Sequence, residues 1–120
     1  LLQDAGVGFC LTSGSGWDAF WDVRNLPFEA GTAAAYGLTK EQALSSITLN
    51  AAKVLGIDAT VGSLAVGKDA NILVSTGDIL DMRTSKVEKA FIQGREIDLD
   101  NKQKALYRKF AAKYGIEVKE

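Results

Sequence analysis

The chain of 120 residues has no histidine, one cysteine, one proline and one methionine. Without histidine, no Cys-His or Ser-His nucleophile can be assembled within it. Cys10 alone excludes an internal disulfide and any CxxC metal or redox pair. Charge of one sign is scarce as well. Fourteen basic against fifteen acidic residues give a net charge of -1, which offers no global field to hold nucleic acid or an anionic membrane. No apolar run is long enough to span a bilayer, and no basic-then-apolar leader opens the chain. None of these absences fixes a compartment.

What is present is ordinary globular material, 47% hydrophobic and 24% charged, enough for one domain with a core. Leu1-Leu2-Gln3-Asp4-Ala5-Gly6 reads as a helix end closing on a C-cap glycine. With Met82 the only methionine, that opening predicts an excised or processed piece. Val7 to Leu11 is a short, almost unbroken apolar run, as expected of a strand buried on both faces in a parallel sheet. Ser13-Gly14-Ser15-Gly16 follows as a loop at the strand's C-terminal end.

Asn25 can cap a helix with Pro27 in its first turn, running through Ala33-Ala34-Ala35 to a stop at Gly37. Thr39-Lys40-Glu41-Gln42 is a capping box. It starts a helix whose apolar face is Ala43, Leu44, Ile47 and Ala51. Thr48 and Asn50 favour caps over interiors, so a break near Asn50 is expected, with a short helix from Ala51 to Leu55 ended by Gly56. From Thr60 the language is strand and turn. Ala70 to Ser75 is one strand, and Val87 to Ile92 with Glu96 to Leu99 flank a tight Gln93-Gly94 turn. Asp98 or Asp100 can cap a last helix striped by Leu106, Tyr107, Phe110 and Tyr114 and ended by Gly115. Its Lys102, Lys104, Arg108, Lys109 and Lys113 lie mostly outside the stripe, where a solvated face is the default and an acidic partner the alternative.

Thr48-Leu49-Asn50-Ala51-Ala52-Lys53-Val54-Leu55-Gly56 and Gly62-Ser63-Leu64-Ala65-Val66-Gly67-Lys68-Asp69-Ala70 together resemble the C-terminal signature of the amidohydrolase superfamily. Gly6-Val7, Gly37-Leu38-Thr39 with Glu41, Ala43-Leu44 and the Gly94 hairpin match its habits too, over roughly Ala5 to Ile97. The resemblance implies an α/β fold: the last βα segment of a (β/α)8 metal-dependent hydrolase barrel, C-terminal strands of a small composite β-sandwich built from both chain ends, and a terminal helix. Residues 1–57 would hold the last barrel strand, loop and following helices. Residues 58–99 would hold the sandwich strands, and 100–120 the C-terminal helix. Within the superfamily the likeness runs toward the imidazolonepropionase and cyclic-amide hydrolase group.

The resemblance also implies function. Full-length relatives hydrolyse non-peptide carbon-nitrogen bonds of small molecules with water activated by zinc or another divalent metal. They usually carry a metal-binding aspartate at the end of the last barrel strand. In register with Gly6-Val7, Gly14 stands there, and glycine offers neither ligand nor base. No catalytic or metal-ligating residue is therefore assigned, although Asp18 or Asp22 could in principle substitute. One barrel strand of the eight needed also leaves the chain without its own site. Its expected partners are the remainder of the barrel or a second copy, with a small-molecule substrate only in a complete protein. The competing expectation is a degenerate, non-enzymatic association module.

Ser13, Ser15 and Trp17 are the residues expected to face a substrate, on the loop after the strand. Trp17, Phe20 and Trp21 could line that mouth, although core or interface packing is the plainer use of their surface. Ser13-Gly14-Ser15-Gly16 is too short a match for a phosphate cradle. Lys68-Asp69 reads as a structural turn, and Asn71 as a turn residue whose amide satisfies local backbone groups. Cys10 within the apolar run behaves as a small hydrophobe.

Overall fold

The computed structural model describes residues 2–14, 16, 17 and 19–117. A short helix α1 (Ala19–Asp22) and a 3-10 turn (Val23–Asn25) lead into α2 (Leu26–Ala35), followed by α3 (Lys40–Ile47) and α4 (Leu49–Leu55). Strands β1 (Ile72–Thr76), β2 (Lys86–Ile92) and β3 (Arg95–Glu96) come next, and α5 (Lys102–Tyr114) ends the order.

The helices stop and start where side chains satisfy otherwise orphaned backbone groups. Pro27 sits in the first turn of α2, where its missing N–H costs nothing. The capping box of α3 is complete: Gln42 N–H donates to Thr39 Oγ1 at 3.2 Å and Thr39 N–H to Gln42 Oε1 at 2.8 Å. Two expectations shift here. Asn25 makes no side-chain cap bond, because the 3-10 turn already delivers the chain to α2. The break between α3 and α4 falls at Thr48, two positions before Asn50, since Thr48 Oγ1 donates back to Leu44 O at 2.7 Å and holds the kink. Asn50 instead accepts from Ser45 Oγ at 3.1 Å.

The sheet is antiparallel, ordered β1-β2-β3, with a register shift at Val74/Ser75. Gln93 and Gly94 both take positive φ, 50° and 77°, which is the backbone a two-residue hairpin requires. Asn71 does not serve a local turn: its Oδ1 accepts the Gln93 N–H at 2.9 Å and pins the start of β1 to the hairpin tip. The sheet is not closed into a barrel or a sandwich, and of its strand residues only Ala90 is buried. Asn101, not Asp98 or Asp100, caps α5 by accepting from Lys104 N–H at 2.9 Å. Asp98 is occupied with the Asp100 N–H and Asp100 with Arg108.

The core is small and lies where α2 and α3 meet the β1–β2 loop. Ala30, Ala43 and Leu80 are buried together, with Leu11, Ala34, Leu38, Leu44, Ile47 and Ile79 packed against them. Gly31 makes this contact possible, because a Cβ there would stand 2.1 Å from the Leu80 carbonyl oxygen. At another close approach, Gly62 holds φ +89° while a Cβ would meet Ala52 Cβ at 2.6 Å. The largest fully buried side chain is Ser46, and a core this thin leaves the chain expanded. Its radius of gyration is 17.3 Å against about 13.6 Å for a compact domain of this length. Its surface of 9377 Å² exceeds by about half the roughly 6,300 Å² of a compact monomer of this size.

Candidate functional site

The first segment carries the expected site and departs most from expectation. Val7–Leu11 forms no strand and is not buried on both faces: residues 7–14 are without secondary structure, Val7 is 49% exposed, and Phe9, Cys10 and Leu11 are half-buried. The physical reason is that a parallel strand is defined by neighbours on either side, and none of the described residues supplies one. The helix end expected before it is a turn over residues 2–6 and not a helix, although Gly6 does close it at φ +68°, with Val7 N–H donating to Leu2 O. The segment is tied down at one point, where Leu11 N–H donates to Ser46 O at 3.1 Å and the Leu11 side chain rests on the core. Ser46 is buried because its hydroxyl donates to Ala43 O at 2.6 Å. A serine within an apolar-faced helix gave no sequence signal for that tie.

Beyond Leu11, the chain runs through Thr12, Ser13 and Gly14 toward α1. Thr12 Oγ1 donates to Ser13 O at 3.1 Å. The Ser13 hydroxyl oxygen is buried with no hydrogen-bond partner. A Cβ on Gly14 would meet nothing within 4 Å, so a longer side chain at this position has room. Trp17 is 93% exposed, and Phe20 and Trp21 contact each other with ring centroids 4.4 Å apart while remaining largely exposed. These aromatics are not core within this chain. Ser15 and Asp18 lie outside the described residues. Asp22 ends the four-residue α1 and is exposed.

The arrangement does not fit a resident metal. Among the described residues no three His, Cys, Asp or Glu side chains come together. At the position in question the chain offers a glycine, a threonine hydroxyl bonded to its neighbour and one buried serine hydroxyl, weak donors for zinc. Elsewhere Lys68 confirms its structural use, with Nζ donating to Ser63 Oγ at 2.8 Å and to Val61 O at 3.4 Å. An ionic cluster stands on the β1–β2 loop. Asp78 pairs with Lys40 at 2.5 Å and accepts the Leu80 N–H, and Asp81 accepts from Arg83 N–H and Thr84 Oγ1. The hydrogen bond from Lys40 holds the Asp78 carboxyl below the usual carboxylate range, and the Arg83 amide does the same for Asp81. Both serve the loop that seats Leu80.

These elements define a class. The sequence profile of the amidohydrolase family matches residues 6–97, and the chain belongs to that family. Among solved structures it is similar to an amidohydrolase from Thermotoga maritima, at 33% identity and a TM-score of 0.70 over 81% of this chain and 24% of that one. A prolidase solved with N-methylphosphonate-L-proline shares the fold, at 22% identity and a TM-score of 0.63 over 80% of this chain and 24% of that one. Among curated relatives, the imidazolonepropionase of Shewanella oneidensis is 42% identical over 71 residues, 59% of this chain and 17% of the relative. That of Shewanella putrefaciens is 64% identical over 36 residues, 30% of this chain and 9% of the relative. The chain thus spans 9 to 17% of the length of these two curated relatives.

Proposed function

We propose that the chain is the C-terminal scaffold of an imidazolonepropionase-like amidohydrolase, a protein hydrolysing non-peptide carbon-nitrogen bonds of a cyclic amide or similar small molecule. In this reading residues 1–57 supply the last barrel strand, loop and following helices, 58–99 supply strands and a hairpin of the composite β-sandwich, and 100–120 supply the C-terminal helix. Zinc or another divalent metal, with its ligands, belongs to the remainder of the barrel, and this chain performs no chemistry alone. The observation that carries the reading is the surplus surface. The family match covers residues 6–97, yet the core those residues build is so thin that the surface stays about half as large again as a compact monomer's. Missing barrel elements laid against Val7–Leu11 would pair its backbone and cover that surface. Ser13, Ser15 and Trp17 would then face a substrate, and the unpartnered Ser13 hydroxyl supports that placement for Ser13.

A second reading is a non-enzymatic association module, favoured by Gly14 at the aspartate position and by the exposed Trp17, Phe20 and Trp21. One experiment separates the two. The chain is joined to a barrel supplying the earlier strands of a relative, and bound zinc and cyclic-amide turnover are measured with Gly14 and with Gly14→Asp. The enzyme reading expects turnover to appear or to rise at least about tenfold in the aspartate variant, because the added carboxylate enters open space and can act as ligand and base. No metal and no turnover in either form of a folded chimera would leave the association reading.

A further inference from the structure

The loop between Leu11 and α2 holds chemistry that the fold itself does not use. Both tryptophans of the chain, with Phe20 between them, fall within residues 17–21. Phe20 and Trp21 stand ring to ring, 4.4 Å between centroids and tilted by 37°. None of the three side chains joins the core of Ala30, Ala43 and Leu80. The same stretch is anionic. Asp4, Asp18 and Asp22 precede the first basic residue of the chain, Arg24, and Asp22 follows the ring pair directly at the end of α1.

Position gives these rings a use that their exposure alone would not. Loops that follow barrel strands build the substrate face of such barrels, and this loop follows the segment that serves as last strand in the enzyme reading. It is anchored at both ends, by Leu11 N–H on Ser46 O before it and by the 3-10 turn running into α2 after it. The rings are thereby kept at the substrate end of the strand.

We propose that Trp17, Phe20 and Trp21, with Asp22, form a specificity wall of the substrate site that selects small substrates bearing a cationic nitrogen, an ammonium or quaternary ammonium group. An aromatic face presents the negative part of its quadrupole and attracts a cation. A carboxylate beside the rings adds to that attraction and repels an anionic substrate. Packing beneath earlier barrel strands is the plainer use of three rings, but it would draw Asp22 toward an apolar contact, where an unpaired carboxylate is costly. Placement of the loop rests on the enzyme reading above, whose substrate class this wall names. Because the wall is tested by binding and not by turnover, a chimera without activity and a loop indifferent to charge are separate failures.

The test uses the full-length polypeptide that carries this chain and two probes of like size, tetramethylammonium and tert-butanol. Dissociation constants are read by NMR titration, with circular dichroism as a folding control. Tetramethylammonium should bind at least about fivefold more tightly than tert-butanol. Trp17→Leu and Trp21→Leu should each weaken the cation about threefold or more, whereas Trp21→Phe, which keeps a ring, should stay within about twofold of the unmodified protein. Asp22→Asn, at an exposed position, should weaken the cation about threefold and leave tert-butanol unchanged. Equal affinity for the two probes, or a cation preference untouched by Trp21→Leu and Asp22→Asn, would overturn the proposal. So would leucine variants that unfold the protein while Asp22→Asn leaves cation binding intact, since the rings would then be packing and not a wall.

Discussion

The segment over residues 7–14 and the helical hairpin α2–α3 are neighbours in space, and both are rich in apolar residues. Only the hairpin reaches a settled structure. Its N–H and C=O groups are satisfied within each helix, its cap is built from residues three apart, and its small apolar face closes on one loop, 77–85. The first segment has the stronger apolar run, but its backbone partners must come from other strands. Local hydrogen bonding completes an element by itself, while a parallel strand remains a promise until its neighbours arrive. Hydrophobicity alone therefore does not separate finished from unfinished parts of this chain.

The sharpest way to break that comparison is to damage the finished half. At Gly31 even one methyl group must displace the Leu80 backbone, since the Cβ would lie 2.1 Å from its carbonyl oxygen. Gly31→Ala should cost about 3 kcal/mol or more and abolish cooperative urea unfolding of the hairpin, read by circular dichroism. Leu80→Ala removes the one large buried hydrophobe of this core and should cost about 2–4 kcal/mol. By contrast Val7→Ala, at a half-exposed residue of the unfinished segment, should change the midpoint by less than about 0.5 kcal/mol. A loss at Val7 as large as at Leu80 would show that the segment is more than a tethered strand-in-waiting. A smaller but clean effect is expected from the cap, where Thr39→Ala removes one side of the capping box and should cost about 1 kcal/mol.

How much of this was legible follows the same division. The capping box, Pro27, the helix-stopping glycines and the Gln93-Gly94 hairpin were readable because each is decided by residues a few positions apart. The family resemblance, later matched over residues 6–97, was readable because it is built from just such punctuation. Thr48, Asn101 and Asn71 were misread by one to three positions or by partner. Several polar residues lay close enough to compete for the same cap, and the Asn71–Gln93 bond joins positions 22 apart. Gly31 against Leu80 was invisible, since a contact between a helix and a loop fifty residues on leaves no periodic trace. Of the site, the sequence offered residue types on a loop and nothing about their surroundings, and the buried, unpartnered Ser13 hydroxyl required coordinates.

The least costly perturbation probes how the two halves of the chain are joined. Lys40 opens α3 and Asp78 opens the loop that seats Leu80, so their ion pair clamps sheet to helices from the exposed side. Asp78 is more acidic folded than unfolded, through Lys40 first and the Leu80 amide second. A carboxyl with a lowered folded pKa stabilises fully above its unfolded value, and that contribution is lost as pH falls through the folded one. Asp81, lowered by the Arg83 amide and the Thr84 hydroxyl, acts in the same direction. Stability should therefore fall on acidification below the ordinary carboxylate range. Asp78→Asn should flatten that fall while lowering stability slightly near neutrality, where exposed pairs contribute little. Salt should mimic the substitution at neutral pH. If urea midpoints of Asp78→Asn track the unmodified chain at every pH, the loop is held by Leu80 and Gly31 alone, and the two halves are joined by packing without an electrostatic clamp.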